Sequence, residues 1–172
     1  MGDERKVRDE RKVRAYHQAG RYQDAIEQFQ RTLALDPGFF TTYVMLAQTY
    51  TVLERYTDAL TALRTAEEVG GRKPLILVEL ASVLNRLGER ENAKRLLAEL
   101  IELSRREHVP LYQLALAHLS LGDETTAFSL VEQAYEQHST LLPWIAIDIG
   151  WQVSRNHPRM IRILDKLNLP HS

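Results

Sequence analysis

Few residues in this sequence have the type and spacing for chemistry. Asp148 stands out as a lone carboxylate in the apolar run WIAIDIGW, residues 144–151. Buried there, a carboxyl would hold its proton more tightly and could do acid–base work. The commoner use of such a residue is to cap a helix or face a partner. His118 follows Leu111, Leu114 and Ala115 at helical spacing. It reads as a core or half-buried histidine with a local hydrogen bond. A metal site is the remote alternative, because no histidine stands four residues on, no acid stands four residues either side, and the chain has no cysteine. Arg155, His157, Arg159 and Arg162 could form a small cationic patch near the C-terminus, and Arg105-Arg106 a second. Catalytic and nucleotide-binding signatures such as G-x-S-x-G, H-E-x-x-H, G-x-G-x-x-G and G-x-x-x-x-G-K-[ST] are missing. The chain is therefore read as non-enzymatic, with no cofactor and no metal.

The bulk composition narrows the partners. A formal net charge of −1 attracts neither nucleic acid nor anionic lipid. The apolar fraction of 44% suffices for a continuous core, and no apolar run approaches a membrane span. A cytoplasmic protein is expected. Residues 3–14 read DERKVR twice, with Glu4–Arg8 and Glu10–Arg14 as helix-surface pairs. They are read as a solvated lead-in helix, with an artificial start or a truncated upstream domain left open.

A repeat must position these residues. Ala25, Ala59, Ala93 and Ala127 recur every 34 residues, each followed four positions on by Phe29, Leu63, Leu97 or Val131. Thr32, Ala66, Leu100 and Ala134 come at the next helical contact. In repeat two, Tyr43, Leu46, Ala47 and Tyr50 precede the turn, and Tyr56, Ala59, Leu63 and Ala66 follow it. Small residues let two antiparallel helices approach, and large ones fill the gaps.

With this period and these residues the chain resembles the tetratricopeptide repeat (TPR) family. The resemblance implies an all-α, right-handed TPR solenoid of four helix–turn–helix repeats, at about 6–39, 40–73, 74–107 and 108–141. A helical segment, 142–172, caps it, with Trp144, Trp151, Ile161 and Leu164 as its contacts on repeat four. The helix ending at Ser104-Arg105-Arg106-Glu107 meets no breaker and is expected to run longer than its neighbours. Asn156 or His157 should cap the last helix, with Pro158 in its first turn.

The resemblance also implies a concave groove lined by repeat positions two, five, nine, twelve and thirteen. Carried over by register, these are Glu10, Arg14, His17 and Gln18; Thr41, Val44, Gln48, Thr51 and Val52; Leu75, Val78, Ser82, Asn85 and Arg86; and Val109, Tyr112, Leu116, Leu119 and Ser120. Glu10, Arg14, Gln48, Val78 and Ser82 do not match the Lys and Asn pattern that clamps acidic chaperone C-termini. An apolar helix or extended peptide fits better, with Tyr112, Val78, Leu116 and Val44 as anchors. The alternative is that the chain's own tail or a second copy covers these residues. The expected function is a protein-interaction scaffold for a protein or peptide, with self-assembly as the second reading. A third is a sensory fragment of a larger bacterial signalling protein, because the tail (Ala127-Phe128, Ala134-Tyr135, Pro158-Arg159, Leu169-Pro170) is similar to the closing segment of bacterial TPR regions on regulators.

Overall fold

The computed structural model describes residues 20–146 and 148–170. The lead-in helix, and with it Arg14 and His17, lies outside the described residues. Seven helices run in order before the tail: α1 (Tyr22–Leu35), α2 (Phe40–Val52), α3 (Tyr56–Gly70), α4 (Pro74–Arg86), α5 (Arg90–Ser104), α6 (Leu111–Ser120) and α7 (Glu124–Glu136). Two 3₁₀ segments, η1 (Leu142–Ala146) and η2 (Ile149–Ser154), lead to the last helix, α8 (Pro158–Lys166). Among the described residues there is no strand.

The turn between the two helices of a repeat shows how strictly the 34-residue register is kept. Gly20, Glu54, Gly88 and Gly122 occupy the same repeat position, and all four have positive φ, at 67°, 56°, 83° and 84°. A residue in this left-handed conformation lets the next N–H reach back to a carbonyl of the last helical turn. The Arg55 N–H donates to Tyr50 O, the Glu89 N–H to Leu84 O and the Asp123 N–H to His118 O, all at 2.9–3.0 Å. Glu54 alone brings a side chain to this position, at the usual cost of a left-handed L-residue. Glu54→Gly should therefore raise the stability of the unit holding α2 and α3 by about 1 kcal/mol, measured by urea denaturation. No change or a loss would show that this turn carries no strain.

The residues just after each turn clamp the start of the next helix with a different chemistry each time. Arg21 pairs with Asp24 at 2.5 Å and Arg55 with Asp58 at 2.7 Å. Asn92 donates to Glu89 at 2.7 Å, and Asp123 accepts from the Thr126 N–H at 3.1 Å. The backbone position is held throughout while the polarity of the pair changes.

The alanines that mark the repeat, Ala25, Ala59, Ala93 and Ala127, are fully buried. Phe29, Leu63 and Val131 are buried beside them; in repeat three Leu97 is only half-buried and Leu96 takes the inward position. Residues up to Arg72 form one compact unit and those from Lys73 onward a second. The tail belongs to the second unit. Leu142, Ile145, Trp151, Met160, Ile163 and Leu164 join Phe128, Val131 and Ala134 in one cluster. The cap contacts need correcting at two positions. Trp151 and Leu164 are buried, but Trp144 and Ile161 are each 37% exposed. The inward stripe of α8 is Met160, Ile163, Leu164, with Leu167 half-buried, a standard i, i+3, i+4, i+7 face that excludes Ile161.

α5 ends at Ser104 with 15 residues, longer than the adjacent α4 (13) and α6 (10) and equal to α3. Ser104 Oγ bonds Ile101 O, and the Arg105, Arg106 and Glu107 N–H groups close a tight terminal turn. Pro110 then caps α6 and holds the chain extended before it. At α8, His157 is the cap. Its Nδ1 accepts the Arg159 N–H at 3.1 Å, with Pro158 at the first position. Among the described residues no helix is long and apolar enough to cross a membrane.

Candidate functional site

The first helices of repeats two, three and four, α2, α4 and α6, sort their expected groove residues by repeat position. Position five is buried each time: Val44 at 2%, Val78 at 3% and Tyr112 at 4% exposure. Position nine is half-buried each time: Gln48, Ser82 and Leu116. Thr51 is half-buried, with its hydroxyl donating to Ala47 O at 2.9 Å. Arg86 is exposed, and Leu119 is buried. Val44, Val78, Tyr112 and Leu119 thus lie beneath the surface, Leu116 is half-buried with the polar residues, and Arg86 is exposed.

In the second unit α4 and α6 are braced across this face. Asn85 Nδ2 donates to Ser120 O at 2.7 Å. Ser120 Oγ turns back to Ala117 O. Two expected groove residues are thereby joined, 35 positions apart in sequence.

The other end of α6 is covered by the chain's own tail. The Tyr112 hydroxyl donates to Asp148 Oδ2 at 2.9 Å, and Asp148 Oδ1 accepts the Gly150 N–H at 2.8 Å, capping η2. Gly150 sits so close to α6 that a Cβ there would fall 2.8 Å from Leu116 Cδ2. Trp151 is fully buried, and its indole N–H faces the Tyr112 hydroxyl without reaching hydrogen-bonding geometry. Burial lifts the Tyr112 phenol well above its ordinary range, and the adjacent Asp148 carboxylate lifts it further. Burial also raises the Asp148 pKa, opposed by the Gly150 N–H and the Tyr112 hydroxyl. Asp148 is a half-buried acid that caps η2. Such a pair suits a structural tie, with the phenol held protonated.

Beside η2, Phe128 organises the polar groups of the tail. Trp151 tilts against its ring at 5.4 Å and His157 stacks on it at 4.4 Å. The Arg159 guanidinium lies 5.3 Å from the same ring and grips both oxygens of Glu132, at 3.0 and 2.7 Å. These bonds hold the Glu132 carboxyl below its ordinary range. Arg155 donates to Ala146 O. The expected cationic patch is thus largely engaged within the chain, with Arg155, His157 and Arg159 all making internal contacts. His118 is half-buried, with Nδ1 3.0 Å from Asp123 Oδ2, a partner five residues on. Among the described residues no three His, Asp or Glu side chains are placed to hold a metal.

The comparisons agree with this architecture. Residues 16–70 match the family model described as tetratricopeptide repeat. No curated protein matches the chain in sequence. Among solved structures, TTC0263, a thermophilic TPR protein of Thermus thermophilus, is 24% identical with a TM-score of 0.59; the match covers 91% of this chain and 78% of that one. A putative kinesin light chain of Podosopora anserina with nearly identical TPR-like repeats is 18% identical with a TM-score of 0.55, covering 95% and 93%. A tetratricopeptide repeat protein from Parabacteroides merdae is 20% identical with a TM-score of 0.52, covering 94% and 64%.

Proposed function

We propose that this chain, a tetratricopeptide-repeat protein in its repeat sequence and in its all-α fold, is a non-enzymatic protein-interaction scaffold. It holds a partner peptide or helix against the first helices of its repeats. The observation that carries this reading is the sorting by repeat position. Position five is buried as support in each of these helices, whereas position nine is half-buried and Arg86 is exposed. A regular row of side chains on rigid helices is what a repeat scaffold offers an extended or helical ligand. The contacts proposed are Ser82, Asn85 and Arg86 on α4 of the second unit; in the first unit, taken by itself, Gln48 and Thr51 hold the corresponding positions of α2. Val44, Val78, Tyr112 and Leu119 serve from below, by fixing those helices.

The test is a peptide selected from a random library against the folded chain, then titrated while backbone amide shifts are followed. Shifts should concentrate at Ser82, Asn85 and Arg86. Arg86→Glu should weaken binding about tenfold, the effect of about 1.4 kcal/mol. Shifts confined to α1, α3, α5 or α7, with Arg86→Glu silent, would overturn the assignment.

A further inference from the structure

The first unit, taken by itself, carries a cleft between α2 and α3 of about 220 Å³. Tyr43, Leu46 and Tyr50 line it from α2, at i, i+3 and i+7, on a different face of that helix from Gln48 and Thr51. Asp58, Thr61, Ala62 and Thr65 line it from α3. The sequence explains why it is open. One repeat and two repeats on, the position of Ala62 holds Leu96 and Leu130, and that of Thr65 holds Glu99 and Gln133. Leu96 is buried in its own unit, so a longer side chain takes there the space that Ala62 leaves empty here.

The chemistry of the lining is one-sided. The Thr61 hydroxyl donates to Thr57 O at 3.0 Å and the Thr65 hydroxyl to Thr61 O at 3.2 Å, so both offer the cleft only lone pairs. Asp58 adds a carboxylate, and Tyr43 and Tyr50 add rings whose faces attract cations. Leu46 and Ala62 are buried and supply an apolar surface. Such a set suits a cation on an apolar stem. The chain shows how a guanidinium is held at the rim. Arg55 lies 4.5 Å from the Tyr50 ring centroid, and its Nε and Nη2 both meet Asp58 Oδ2 at 2.7 Å. Both side chains are exposed, and an ion pair in that setting is readily exchanged.

We propose that this cleft receives an arginine side chain of a partner protein, in exchange for Arg55. Its stem lies against Leu46 and Ala62, and its guanidinium meets the tyrosine rings and the Asp58 carboxylate. A planar guanidinium stacks on rings and gives a carboxylate two N–H groups at once, which selects it over lysine. The site is separate from the inner-face row on α4 and does not rest on the scaffold reading.

The test titrates n-propylguanidinium, the arginine side chain alone, into the full chain while the methyl signals of Leu46 and Ala62 are followed. The neutral probe of similar length is 1-butanol. n-Propylguanidinium should shift both signals saturably, and 1-butanol should not. Asp58→Asn should weaken binding about tenfold. Arg55→Ala, which removes the resident guanidinium, should tighten it severalfold. Ala62→Leu, which installs the residue found one repeat on, should abolish it; if that variant fails to fold, Asp58→Asn decides. No saturable shift, equal shifts from 1-butanol, unaltered binding in Asp58→Asn, or Leu46 shifts that persist in folded Ala62→Leu would each overturn the proposal. None of these results touches Ser82, Asn85 or Arg86, whose peptide shifts decide the scaffold reading.

Discussion

Trp151→Ala should cost the unit from Lys73 onward about 3–5 kcal/mol, the range for removing a large buried aromatic. Trp151 is fully buried, packs against Phe128 and shares a cluster with Leu142, Ile145, Met160 and Leu164. No small side chain nearby can rotate to fill an indole-sized void, so the transfer loss and the cavity loss add. Against a typical domain stability of roughly 5–15 kcal/mol, that is a large share. Amide exchange on α6 and α7 measures it. Their slowest amides should lose protection by the full amount, because the tail is part of their core. If the loss stayed below about 1 kcal/mol, the tail would be a peripheral appendage, contrary to its burial.

Gly70→Ala should destabilise the first unit by about 1–3 kcal/mol, although alanine is much the better helix former. Gly70 is the last residue of α3, and a Cβ there would lie 2.7 Å from both Cβ and Cγ of Phe40, the first residue of α2. Phe40 Cβ is attached directly to the backbone and cannot swing away as a side-chain tip could. The overlap must be relieved by moving helix ends, which outweighs the propensity gain of about 1 kcal/mol. A double-mutant cycle separates the two terms. In a Phe40→Gly background, which removes the Cβ as well as the ring, the same change should become neutral or stabilising. Stabilisation by Gly70→Ala with Phe40 in place would show that the helix ends are not in contact.

What the sequence made legible was whatever recurs. The 34-residue phase of Ala25, Ala59, Ala93 and Ala127 located α1, α3, α5 and α7 and their buried faces, because helix pairing imposes the same small residue each time. The left-handed turn position was marked by Gly20, Gly88 and Gly122 but hidden at Glu54, where the backbone keeps its conformation despite an unsuitable side chain. The groove was harder to read. Register identified which residues share a face, yet Val44, Val78 and Tyr112 proved to be buried, Tyr112 with the tail's Asp148 on its hydroxyl.

The tail was the least legible element, since it obeys no period. Asp148 could be singled out as a lone acid in an apolar run. Its partner Tyr112, 36 residues away, could not be named from spacing. Gly150 carried a signal only in retrospect. It is the residue that lets η2 approach Leu116 so closely. Ile161, expected among the cap contacts, falls off the buried face of α8, which follows Met160, Ile163, Leu164 and Leu167 at i, i+3, i+4, i+7.

The central structural claim is that the tail packs on α6, with Gly150 against Leu116 and Asp148 bonded to Tyr112. Methyl-resolved nuclear Overhauser spectroscopy of Leu116 tests this most directly. The structure predicts cross-peaks from the Leu116 δ-methyl groups to the Gly150 α-protons, with the Tyr112 hydroxyl proton slow to exchange. Leu116 methyls without any contact to residues 148–151, beside a Tyr112 hydroxyl in rapid exchange, would contradict it and leave the α6 face open.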